Sequence, residues 1–391
     1  MNKIIGSALL LAIGFTSCTK DNSVTPAPTN NLTIPYNTLT ASSNYLETFK
    51  GTDGKTSVDF SGQTTRIEML KELDTYIKTG TTAAINEQKM KDMFENKNTP
   101  FTSNDLNTAT TKVIVSKSAA SFSAVDADAE RQHFYNYFKE LERISKLNGQ
   151  TATQGNAGLL GGKRLVDEKG FEYAQFVQKG LIGAMMLDQI SNVYLGTEKQ
   201  AADNKTIVDG KNYTAMQHHW DEAYGYLTSN PTYPMKDPND ATKYLESFLG
   251  GYVRQVGTSV GGDPEAVYVA FLKGRAAIVN NDLTTRDEQI TYIRTALEKA
   301  VATVAISYLN QTKTASDDAS KFHALSEGYG FIYSLRFAYN AKIDKTKSDN
   351  LLNILGGKAN GFWSLTNADI DNVRDQIATA FGIDKNAVVS H

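Results

Sequence analysis

The stretch at 171–194, FEYAQFVQKGLIGAMMLDQISNVY, decides the fold class. It is long and apolar and shows no strict alternation, so it reads as a helix rather than a strand. Gly180 and Gly183 interrupt it. Each glycine costs a helix about 1 kcal/mol relative to alanine. That cost is tolerable where another helix or a ligand must come close.

Outward from this stretch the pattern stays helical. Ile67, Leu70, Leu73 and Ile77 recur at spacings of three and four, and Gly80 follows as a stop. Met90, Met93 and Phe94 continue the pattern over 86–96, and Phe134, Tyr137, Phe138, Leu141 and Ile144 form one stripe within 127–147. A weak helix is expected at 102–122, with others near 212–229, 239–256, 264–280, 285–308, 315–340 and 367–381. Asn239 or Asp240, Asp263 before Pro264, and the pair Asp317-Asp318 read as helix starts. Residues 36–62 read as irregular with a short hairpin, and the glycine-rich 149–162 as a long loop. The expectation is an all-α bundle of about ten helices over residues 35–385, as one large domain or two packed lobes.

Composition narrows the function. The 391 residues carry 40 basic and 43 acidic side chains, a formal net charge of −3. A general nucleic-acid binder needs a net basic face, so no nucleic-acid partner is expected. A single cysteine excludes an intramolecular disulfide and a cysteine-based zinc site. The 19 tyrosines and 17 phenylalanines could line a carbohydrate or haem groove, yet a bundle core explains most of them.

The N-terminus reads as targeting rather than fold. Met1-Asn2-Lys3 precedes an apolar run from Ile4 to Phe15, and Thr16-Ser17-Cys18 follow. The run is shorter than the roughly 20 residues of a membrane-spanning helix and fits a signal peptide over 1–17. Cys18 directly after small residues resembles a bacterial lipobox, with Phe15 where leucine is usual. Acylation there would hold the chain at a membrane, each buried methylene contributing about 0.8 kcal/mol. Residues 18–34 lack large apolar side chains and read as a lipidated cysteine and flexible tether. The expected location is the Gram-negative outer membrane, facing the periplasm or the outside.

Two helical segments carry candidate chemistry. In MQHHWDEAYGY (216–226), His219 and Glu222 stand at i and i+3, on one helix face. An imidazole and a carboxylate so placed can share one cation. His218 and Asp221 make a second such pair, rotated to the side. In KFHALSEGYGFI (321–332), His323 and Glu327 lie one turn apart, with Ser326 and two glycines leaving room for a ligand or a helix. Arg164, Glu172 and Gln175 are further site candidates at the start of the apolar helix. No His-Glu-x-x-His run, serine elbow or phosphate loop is present.

These segments resemble a known family. KGFEYAQFVQKGLIGAMMLDQI, MQHHWDEAYGYL, DATKYLESFLGGY and HALSEGYGFIYSLRF look like the lipoprotein family catalogued as domain of unknown function 4856, itself similar to the imelysin group. The resemblance covers residues 35–385. It implies a helical, often duplicated envelope protein tied to iron or haem acquisition, or a metallopeptidase. The imelysin signature is Gly-x-His-x-x-Glu in a helix. His219 and Glu222 match it, while Gln217 stands where the glycine should be. The function expected is a cell-envelope lipoprotein holding iron or zinc through His219, Glu222, His323 and Glu327, and assisting an outer-membrane uptake receptor. The alternatives are a metallopeptidase and a scaffold without a metal site.

Overall fold

The computed structural model describes residues 32–260 and 264–389. The signal peptide, Cys18 and the tether through 31 lie outside the described residues, as does Asp263. Folded structure is already fixed at Ile34, whose backbone N–H donates to Asn280 Oδ1 at 3.0 Å and whose carbonyl accepts from Asn280 Nδ2 at 2.9 Å.

Fourteen α-helices occur among the described residues. The first five are α1 (Tyr45–Thr48), α2 (Ser61–Lys78), α3 (Glu87–Glu95), α4 (Asn104–Thr108) and α5 (Ala124–Ser145). A short hairpin, β1 (Gly158–Leu160) with β2 (Arg164–Val166), precedes α6 (Tyr173–Leu181), which continues without a break through wide turns at Ile182–Leu187 and Gln189–Tyr194. Then come α7 (Thr197–Gln200) and α8 (Ala215–Leu227). A second hairpin, β3 (Lys236–Asp237) with β4 (Asp240–Tyr244), leads to α9 (Phe248–Val260) and α10 (Pro264–Val279). The chain ends with α11 (Leu283–Thr314), α12 (Asp318–Ser334), α13 (Lys345–Gly356) and α14 (Asn367–Phe381). The protein is an all-α bundle whose buried apolar side chains form one large cluster from Leu39 to Val389 and a small second one of Ile144, Ala157 and Leu165.

Local chemistry explains both the agreements and the departures. Asp317 caps α12 by accepting the Ser320 amide at 2.7 Å, and Pro264 opens α10, where its missing N–H costs nothing. Asp240 does not cap a helix. It lies in β4, its carboxylate accepts the Thr242 amide at 3.0 Å, and the helix begins only at Phe248. The expected helix at 102–122 shrinks to α4 and one tight turn at Val115–Lys117. Its Ser and Thr side chains favour local turns over a helical ladder. The glycine-rich loop holds the β1–β2 hairpin, because Gly161 and Gly162 adopt the positive φ its tight turn needs.

The centre of the bundle is the crossing of residues 173–194 with α12. Here Gly183 lies so close to α12 that an added Cβ would fall 2.4 Å from Ser334 Cα. On the other side, a Cβ on Gly330 would fall 2.5 Å from Lys179 Cβ. Ser334 Oγ accepts the Gly183 amide at 3.1 Å and donates to the Lys179 carbonyl at 2.6 Å. In a regular α-helix that amide and that carbonyl bond each other. The hydroxyl therefore stands in the ladder where the helix changes from α to wide turns, a recognised cause of such a change.

Replacing Gly183 with alanine must displace α12 backbone. We expect Gly183→Ala to lower unfolding free energy by about 3 kcal/mol or more, at the upper end of overpacking costs. Gly149→Ala, whose added methyl meets nothing, should change it by less than about 0.5 kcal/mol. Urea denaturation of both variants checks this, and equal effects would contradict the close crossing.

Candidate functional site

The His219–Glu222 segment is α8, and Gln217 has a role at its start. Thr214 Oγ1 accepts the Gln217 amide at 3.3 Å, while Gln217 Oε1 accepts the Thr214 amide at 3.1 Å. Gln217 thus closes a capping box, a role glycine cannot fill.

On the exposed side of α8, both imidazoles face one carboxylate oxygen. His219 Nδ1 is 3.1 Å from Glu222 Oε2, and His218 Nε2 is 3.8 Å from the same atom. The other oxygen, Oε1, accepts from Gln63 of α2 at 3.0 Å and from the Tyr194 hydroxyl at 3.1 Å. Tyr213 stacks on His218 with ring centres 4.6 Å apart and planes within 9°. Lys117 Nζ lies 3.4 Å from the Tyr194 hydroxyl. His218 Nδ1 has no hydrogen-bond partner among the described residues.

His218 does not pair with Asp221, contrary to the sequence expectation. The i,i+4 spacing takes it to Glu222, and Asp221 points into the core. There Asp221 meets Arg275 Nε at 2.9 Å and the Tyr45 hydroxyl at 3.0 Å, and the Asp221 and Arg275 side chains are fully buried. That pair locks α8 to α10.

The second segment forms a different arrangement. His323 lies between two carboxylates, with Nδ1 2.7 Å from Glu172 Oε2 and Nε2 3.4 Å from Glu327 Oε2. Lys179 Nζ reaches Glu327 Oε1 at 3.0 Å, and Arg164 lies 3.8 Å from Glu172 Oε1. The Gln175 amide donates to Glu172 at 3.3 Å, and the Glu172 amide donates to Ser326 Oγ at 3.1 Å. Nitrogen groups and carboxylates therefore alternate along the whole row, and each carboxylate already faces one fixed cation, Arg164 or Lys179. The candidates Arg164, Glu172 and Gln175 do join His323 and Glu327. Lys179, which the sequence reading passed over, is the lone cation in the apolar run before Gly180.

The four expected ligands do not meet. Glu172 precedes the 173–194 helix at one end and Tyr194 closes it at the other, and at about 1.5 Å per residue that is roughly 30 Å. His219–Glu222 and His323–Glu327 are two separate clusters. Among the described residues, no group of three or more His, Cys, Asp or Glu side chains is gathered as a metal centre, and no helix is long and apolar enough to cross a membrane.

The sequence profile of the domain of unknown function 4856 matches residues 45–384, from the first turn of α1 to just past α14. The chain belongs to the domain of unknown function 4856 family. No curated protein and no solved structure matches it. In this family member both clusters fall inside the matched region.

The α8 cluster is electrostatically tuned. Burial pushes the Glu222 carboxyl up, but the His219 hydrogen bond, the nearby His218 and the Gln63 and Tyr194 donors outweigh it and leave its pKa below the ordinary 4.5. Burial holds His218 below the ordinary 6.5, against the opposing pull of Glu222 and Asp59. Both shifts act in one direction. A depressed carboxylate stabilises the fold above its unfolded pKa, and that contribution is lost as pH falls through the folded one. A depressed histidine disfavours the fold as pH falls below its unfolded value. Stability should therefore decline from pH 6.5 downward and further below 4.5. Urea titrations across this range should show Glu222→Gln flattening the lower part and His218→Gln the upper part. Unchanged slopes in both would contradict these assignments.

Proposed function

We propose that the chain is a lipid-anchored cell-envelope protein that binds a divalent metal, iron or zinc, at the α8 cluster. The supporting observation is that the His219 and His218 imidazoles of a single helical turn both approach one carboxylate oxygen of Glu222. Two donors that share one ion at about 2.1 Å each lie roughly 3.4 Å apart, and the separations here are 3.1 and 3.8 Å. Gln63 and Tyr194 hold the other carboxylate oxygen, the kind of outer support that orients a ligand. Nitrogen and oxygen donors without thiolate suit iron or zinc.

The His323 row serves as a structural lock in this reading, because an ion there would have to displace Lys179. The lipobox-like Cys18 supports the membrane anchor. The imelysin resemblance of the His219–Glu222 pair supports iron as cargo passed to an outer-membrane uptake receptor.

Metal content and thermal unfolding with added Fe(II) or Zn(II) test the proposal. At a free metal concentration of 100 times Kd, wild type should gain about 2.7 kcal/mol. His219→Ala and Glu222→Ala should abolish that gain, and His323→Ala should retain it. Equal metal content in wild type and both α8 variants would overturn the proposal.

A further inference from the structure

A cavity of about 280 Å³ opens between α5, α12 and α13. It lies outside both ion clusters. His133, Tyr137, Tyr329, Tyr333 and Asn353 line it, and Gly356 and Gly357 leave one side without side chains. Among the described residues, the buried Tyr333 hydroxyl has no hydrogen-bond partner, while Tyr137 and Tyr329 are half-buried and His133 and Asn353 are exposed at the rim. A buried hydroxyl left unsatisfied costs about 1–3 kcal/mol. A ligand hydroxyl placed in the cavity would satisfy the buried Tyr333 group.

The charge state of the cavity selects the occupant. Arg336 also borders it, but its guanidinium is fully engaged, with Glu130 Oε1 at 3.1 Å, Ser348 Oγ at 2.9 Å and Asp349 Oδ1 at 2.5 Å. Asp349 in turn holds Lys345 at 2.6 Å. Desolvation, joined by Arg336 and Lys345, outweighs Glu130 and keeps the His133 imidazole below its ordinary pKa, hence neutral at pH 7. No uncommitted charge faces the cavity, so neither an anion nor a cation finds a counterion there. The walls are rings. Tyr329 is fixed by stacking on Phe176 at 4.3 Å, and the His133 and Tyr137 planes lie within 26° of each other. Aromatic faces suit the C–H face of a pyranose, and three phenols, an imidazole and an amide suit its hydroxyls. The volume is just below the range for drug-sized ligands, about 300–1,000 Å³.

We propose that this cavity binds a single neutral hexopyranose unit, with Tyr329 as platform and Tyr333, His133 and Asn353 bonding ring hydroxyls. Saturation-transfer NMR of the full chain with D-glucose, D-galactose, D-mannose and N-acetyl-D-glucosamine tests it. At least one sugar should show transfer to its ring protons, with Kd of order 1 mM. Asn353→Ala and Tyr333→Phe should each weaken it by about threefold to tenfold, the loss of one hydrogen bond. Asn353 is exposed and the Tyr333 hydroxyl has no hydrogen-bond partner among the described residues, so both variants should fold. His219→Ala should leave sugar binding unchanged, which separates this site from the metal proposal. Absence of transfer from all four sugars, or unchanged affinity in both cavity variants, would overturn it.

Discussion

The Ser334 hydroxyl between the Gly183 amide and the Lys179 carbonyl fixes the register of the bundle's two central helices. A one-residue slip would break both bonds and drive the Gly330 and Gly183 positions into side chains. With the register fixed, residues 323, 326, 327, 330 and 334 of α12 form one stripe along residues 173–194. Hence Glu172 must meet His323, and Lys179 must meet Glu327. At the far end of the same helix, Tyr194 is delivered to Glu222. The two polar clusters are consequences of one crossing.

The two clusters differ in how completely they are paired. The His323 row alternates Arg164, Glu172, His323, Glu327 and Lys179, so its charges answer one another at a helix junction. Partly buried rows of this kind specify geometry more than they add stability. The α8 cluster has two imidazoles and one carboxylate, with neutral Gln63 and Tyr194 behind it. Its lowered carboxyl pKa reflects donors that turn toward Glu222. Asp221, the neighbour of Glu222, shows how one step around the helix changes role: it is sealed in the core against Arg275.

Much of this was legible in the sequence, and the rest was missed for identifiable reasons. The apolar length of 171–194 and the spacing of Ile67 to Ile77 gave the helical class, because burial of a face imposes that period. His219 with Glu222 and His323 with Glu327 were visible, since i,i+3 and i,i+4 partners are local. Gln63, Tyr194 and the link from Glu172 to His323 join residues 28 to 159 positions apart, and no local pattern encodes them. The helix expected from 239 failed at its start, because the paired Asp residues around Pro238 make a hairpin turn instead of a cap. Helix α13 was overlooked, since only Leu351, Leu352 and Leu355 mark its buried side. The tyrosines of α5 and α12 read as core, and most are. What sets Tyr333 apart is a buried hydroxyl that finds no partner among the described residues, which composition cannot show.

One crossing separates the α8 cluster, where metal binding is proposed, from a closed ion row. Proton and nitrogen NMR of histidine-labelled protein titrated with Co(II) tests it most directly, because a paramagnetic ion perturbs only nearby imidazoles. The account requires the His218 and His219 resonances to shift and broaden first, with His323 and His133 unmoved. A His323 response equal to theirs, or no response from the α8 pair, would contradict it.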